Sequence, residues 1–151
     1  MIDTERLHQT IEDFCVFFET LPPEALREQE WGPMEVLAHL VYWHESYVAQ
    51  AEAALAGVPF IPPEGRFREM NAQAVARDRG KSAQEQLARL RRADLRLCLL
   101  ARDERAADIS IETKQGAKRR PLQDFLNRVE AHIRSHHLLL RRRERRRVSA
   151  K

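Results

Sequence analysis

Apolar residues recur along this chain at the alternating three- and four-residue spacing that marks one face of a helix. The first run, from about Asp3 to Leu21, sets Leu7, Ile11, Phe14, Phe18 and Leu21 on such a seam. Pro22 and Pro23 end it, because proline lacks the amide that would continue the ladder. A second helix is predicted from Gly32-Pro33, with Pro33 at the first helical position and Glu35 in the first turn, to about Ala56, before Gly57. Its first half, MEVLAHLVYW, is apolar nearly all round, as in a helix with neighbours on several sides. The segment GVPFIPPEG that follows excludes helix and central strand. A shorter helical piece, about Phe67 to Asp78, stops at Gly80. Ser82 and Glu85 then form an S-x-x-E capping box that opens a third long helix, with Leu87, Leu90, Leu97 and Ala101 as its seam and an end among Arg102, Asp103 and Glu104. Ile109 and Ile111 alternate with polar neighbours as a brief extended segment, with no evident partner strand. Pro121 opens a fourth long helix that runs into an arginine-rich segment.

These elements predict an all-α fold: a single four-helix bundle domain over residues 1–147, with 148–151 as a disordered tail. At 151 residues the chain is long enough to bury about two-thirds of its unfolded surface without disulfides. Cys15 and Cys98 lie in apolar helical runs with no CxxC spacing, so both read as small core residues in a reducing compartment. Neither has a visible neighbour that would activate it as a nucleophile. The stretch MIDTERLHQT is polar and acidic, unlike a signal peptide, and no apolar run approaches the roughly 18 residues of a membrane span. The expectation is a cytoplasmic protein with no membrane partner. Six arginines and one glutamate between residues 141 and 147 give that segment a net charge of +5, so the rest of the chain carries −2 of the total +3. With no aromatics or groove-reading motif there, the arginines read as a solvated helix end opposing the macrodipole, and nucleic acid is not an expected partner.

The histidines carry the candidate chemistry. On the last helix the seam of Leu122, Phe125 and Val129 continues through His132, His136 and Leu139, so the H-x-x-x-H pair is predicted to point into the core. On the second helix Val36, Leu40, Trp43 and Tyr47 mark an inward face, with His39 at its edge. Each interior imidazole needs a partner, and an unsatisfied buried polar group costs about 1–3 kcal/mol. Core hydrogen bonds are one solution. A divalent zinc, nickel or iron ion held by His39, His132 and His136 is the other. Three imidazoles leave a position for water or substrate, as in catalytic sites, whereas a structural zinc closes with four ligands. His8, His44 and His137 read as surface or supporting residues, and Glu35, Glu45 and Glu130 as solvated helix charges rather than general bases. HIRSH has no glutamate after its first histidine, which removes zincin-type proteolysis.

The same residues carry a family resemblance. WGPMEVLAHLVYWHE resembles the second helix of the DinB-like superfamily of four-helix bundles, and PLQDFLNRVEAHIRSHHLLL its last helix, with its H-x-x-x-H. The resemblance covers most of the chain in order. It implies a bundle with an unusual helix order, one long crossover and a short extra helix between the second and third, in a protein that is often a homodimer. It also implies a divalent-metal triad of His39, His132 and His136, and the chemistry of thiol-dependent isomerases and S-transferases, or of hydrolases, acting on small electrophilic substrates with a low-molecular-weight thiol as cosubstrate. GVPFIPPEGRFREMN with SAQEQLARL is similar to the ClbS/DfsB branch, whose protective hydrolysis is metal-free; the complete H-x-x-x-H departs from that branch. Three readings therefore stand: a metal-dependent enzyme, a metal-free protective hydrolase or binding protein, and a helical interaction module whose histidines are satisfied in the core.

Overall fold

Proline and glycine set most of the element boundaries. The computed structural model describes residues 1–26 and 31–151. Helix α1 spans Glu5–Glu19, a one-turn α2 spans Pro23–Leu26, and α3 spans Pro33–Ala56. After them come α4, Phe67–Arg77, and α5, Ala83–Leu100. A 3-10 turn at Glu104–Asp108, strand β1 at Ser110–Ile111 and strand β2 at Arg120–Pro121 lead into α6, Leu122–Ser149. Pro33 starts α3, and Gly57, at φ 67°, closes it by turning its amide back to the carbonyls of Ala53 and Ala54. Ser82 Oγ accepts the Glu85 amide at 3.0 Å, capping α5 as the S-x-x-E pattern requires.

Three local features depart from the sequence reading. Pro23 begins a helical turn as well as ending α1, since its fixed φ suits a first helical position. The extended segment at Ile111 does have a partner: Ser110 pairs with Pro121 and Ile111 with Arg120, antiparallel. The partner is only two residues long and contains a proline, so it leaves no alternating pattern to read. Helix α6 continues through Val148 to Ser149, into the stretch read as a disordered tail, and Arg147 within it bonds Glu144 at 2.6 Å.

Side-chain pairs give the topology. Asp3 with Gln123, Thr10 with Glu130 and Phe17 with His137 rise together in number, so α1 and α6 run parallel. Glu45 with Arg89 and Glu52 with Arg96 make α3 and α5 parallel. His8 with Asp94 and Glu19 with Arg91 set α1 against α5 antiparallel, and His39 with His136 and Tyr47 with Phe125 do the same for α3 and α6. The helices therefore ring the core in the order α1, α5, α3, α6. Because α3 and α5 are parallel neighbours, the chain must return the length of the bundle between them, and the crossover that does so carries α4.

The core is a contiguous cluster that includes Ile11, Phe14, Leu37, Leu90, Leu126 and Ile133, all essentially inaccessible. Each such side chain contributes about 1.5–3 kcal/mol relative to exposure. On α6 the buried line runs through Leu122, Leu126, Val129, Ile133 and Leu140, while Leu139 is exposed. The predicted seam through 132 and 139 is thus off by a fraction of a turn in the second half of the helix. Among the described residues, no helix is long and apolar enough to cross a membrane.

Candidate metal centre

The antiparallel seam of α3 and α6 brings His39 to the side of the one-turn pair His132 and His136. Ring centroids lie 5.4 Å from His39 to His132, 5.3 Å from His39 to His136, and 4.6 Å between His132 and His136. One ligand nitrogen from each lies within 4.8 Å of the other two. His39 is buried, His136 half-buried and His132 exposed, so the H-x-x-x-H pair does not point into the core. It borders the core at an edge open to solvent, because α6 turns Ile133 and Leu140 inward in its place.

Hydrogen bonding fixes the chemical state of His39. Asn71, on the crossover helix α4, receives the Trp43 indole N–H at its Oδ1, 2.6 Å away, and the same oxygen lies 2.8 Å from His39 Nδ1. An indole nitrogen only donates, so the atom it meets must be the amide oxygen, and His39 must also donate to it from Nδ1. Nε2 is then the lone-pair nitrogen. It is buried and has no hydrogen-bond partner among the described residues. Asn71 ends the stretch GVPFIPPEGRFREMN, but nothing in that pattern marks it as a partner of His39.

The residues fit a divalent ion. The Nε2 atoms of His132 and His136 face each other at 2.9 Å. Two nitrogens on a tetrahedral zinc, at about 2.0–2.1 Å each, lie about 3.3 Å apart, so a widening of a few tenths of an ångström admits the ion. Burial pushes His39 down to about 4, with His132 adding to the effect and the Asn71 bond opposing it. Burial also pushes His136 down to about 4, helped by His132, His39 and Arg143, and it lowers His132. At neutral pH all three imidazoles are therefore free of the extra proton an ion would have to displace.

A model of the DinB superfamily matches residues 6–140. The chain belongs to the DinB superfamily. No curated protein and no solved structure matches the chain. DinB proteins often bind a divalent metal, and the match spans all three histidines of the triad and ends before the arginine-rich segment.

Other residues near this DinB site are better defined by the structure than by the sequence. Trp31 takes a left-handed backbone, φ 60°, a conformation that costs a non-glycine residue about 1–3 kcal/mol. Its amide donates to the Glu35 carboxylate, its carbonyl accepts Arg143 Nη1 at 2.8 Å, and its ring meets His39 edge to face at 6.2 Å. Arg143 also lines a cavity of about 700 Å³ with Pro33, Leu139 and Arg146. That cavity adjoins the histidines rather than containing them.

Several polar residues are not where the sequence placed them. His44 is fully buried beside Tyr47, not at the surface, and its Nε2 has no hydrogen-bond partner among the described residues. His137 is half-buried against Phe14 and Phe17. Glu130 is buried, accepting from Thr10 at 2.9 Å and Arg134 at 3.1 Å, so it is no solvated charge; Glu45 pairs with Arg89. Cys15 is a core residue as expected, its thiol pushed up to about 12 by burial. Cys98 is only half-buried and bonds Asp94, because α5 turns it toward the edge of the α1 seam.

Proposed function

We propose that the protein is a divalent-metal-dependent DinB enzyme acting on small electrophiles, with His39, His132 and His136 holding the ion. The observation that carries this reading is the buried, unpartnered Nε2 of His39 aimed at two further imidazoles on another helix. Three imidazoles suit zinc, nickel or iron and leave positions for water or a low-molecular-weight thiol. The bound metal would lower the pKa of that water or thiol and offset charge developing on the electrophile, as an S-transferase or hydrolase requires.

The protein's own groups do the rest. Asn71 holds the His39 tautomer, Trp31 walls one side of the histidines, and Arg143 and Arg146 suit the adjoining cavity to an anionic group on the substrate or thiol. A cytoplasmic homodimer is part of the proposal.

Elemental analysis of untagged protein after metal repletion tests it. The expected result is about one ion per chain more in the wild type than in His132→Ala, with the helical circular dichroism of the variant retained. Equal metal content in the wild type and His132→Ala after repletion would overturn the reading in favour of metal-free chemistry of the ClbS/DfsB kind.

A further inference from the structure

The seam between α1 and α5 lies on the opposite side of the ring from the histidine triad, and it holds a second set of donor atoms. Asp94 on α5 is completely buried. Its Oδ2 lies 2.6 Å from Nδ1 of His8 on α1, and its Oδ1 receives the thiol of Cys98, one turn along α5, with the sulfur 3.8 Å away. One ligand atom from each of the three lies within 4.8 Å of the others. His8 and Cys98 also line a cavity of about 630 Å³, together with Thr4, Leu95 and Arg102.

The protein contains its own control for what a buried structural carboxylate looks like. Asp78 is nearly as inaccessible as Asp94, and it is met by three cations: Arg77, Lys81 and Arg89 at 3.2 Å each. Those contacts hold its carboxyl down at about 2 against the opposing effect of burial. Among the described residues, no lysine or arginine is bonded to Asp94. Its partners are an imidazole and a thiol; burial raises its pKa on balance, with His8 and Cys98 opposing and Glu12 adding to the rise. A buried carboxylate without a full countercharge is costly, and buried charges are normally paired or coordinate a metal.

We propose that His8, Asp94 and Cys98 form a second divalent-cation site, for zinc or a metal of its class. Imidazole, carboxylate and thiolate together are the donors of a borderline-soft ion, not of magnesium or calcium. As the sulfur binds, Cys98 gives up its proton to solvent, and the ion's two charges balance the thiolate and the carboxylate. Three protein ligands leave the cavity side open to water or a further ligand. The site is independent of the histidine triad.

Cobalt(II) titration of the full chain separates the two sites, because cobalt on imidazoles alone lacks the near-ultraviolet thiolate-to-metal charge-transfer band. The wild type is expected to show that band. The near-isosteric Cys98→Ser removes it, while His39→Ala leaves it in place. His8→Ala keeps Cys98 and should weaken cobalt binding read from the band by at least about tenfold. Absence of the band in the wild type, its persistence in Cys98→Ser, or unchanged affinity in His8→Ala would each overturn the proposal.

Discussion

Replacing Asn71 by alanine is the sharpest test of how the histidine site is prepared. The change removes the acceptor shared by His39 Nδ1, at 2.8 Å, and Trp43 Nε1, at 2.6 Å. Two consequences follow, and they separate experimentally. The first is stability: the nearly inaccessible Trp43 indole is left with an unmet donor, at about 1–3 kcal/mol. Urea denaturation in chelator reads this term without metal linkage. The second is affinity. Without the Asn71 oxygen, His39 no longer has to keep its proton on Nδ1, and its ring loses the bond that aims Nε2 at the partner histidines. Loss of such a supporting partner weakens metal binding by about 10–100-fold, or about 1.4–2.7 kcal/mol. Competition of zinc against a chromophoric chelator at neutral pH measures it. Asn71→Asp keeps the oxygen and adds charge, so it should bind at least as tightly as the wild type. If Asn71→Ala binds zinc within about threefold of the wild type, the tautomer argument fails whatever happens to stability.

Three further outcomes are expected. His44 is fully buried and pushed from 6.5 down to about 4, so the unfolded chain binds more protons than the native one between those values. Stability should therefore be unaffected above pH 6.5 and fall as the pH drops, by about 3 kcal/mol near pH 4; comparing urea midpoints of wild type and His44→Gln in chelator isolates its share. Leu90 is wholly inaccessible, so Leu90→Ala should cost about 2–5 kcal/mol with an unchanged denaturant slope. Ser82→Ala removes the bond to the Glu85 amide and should cost about 1 kcal/mol in thermal or urea unfolding.

The elements most legible in the sequence are those whose ends are set by local chemistry. Pro33 and Gly57 bound α3, and Ser82 with Glu85 starts α5, because those residues act through their own backbone or the next turn. The facing of side chains was harder to read. A strict alternation of three and four assumes 3.5 residues per turn, and over the 28 residues of α6 an ordinary helix drifts from it. That drift turns Ile133 and Leu140 into the core and leaves His132 and Leu139 exposed. Even so, the drift moves a side chain by less than a quarter-turn, so the one-turn pair still meets His39. Asn71, Asp94 and Glu130 were invisible for another reason. Each is a common polar residue in a polar stretch, and only the packing of a distant helix makes it a buried partner.

The long separation of His39 from His132 and His136 along the chain sets when the triad can capture an ion. During synthesis His39 emerges first, α4 follows and supplies Asn71, and residues 132 and 136 emerge only later. Until α6 emerges the triad offers a single lone-pair nitrogen, too weak a hook to retain zinc against cellular chelators. Loading of the triad therefore waits for α6, and any product truncated before that helix cannot hold an ion there.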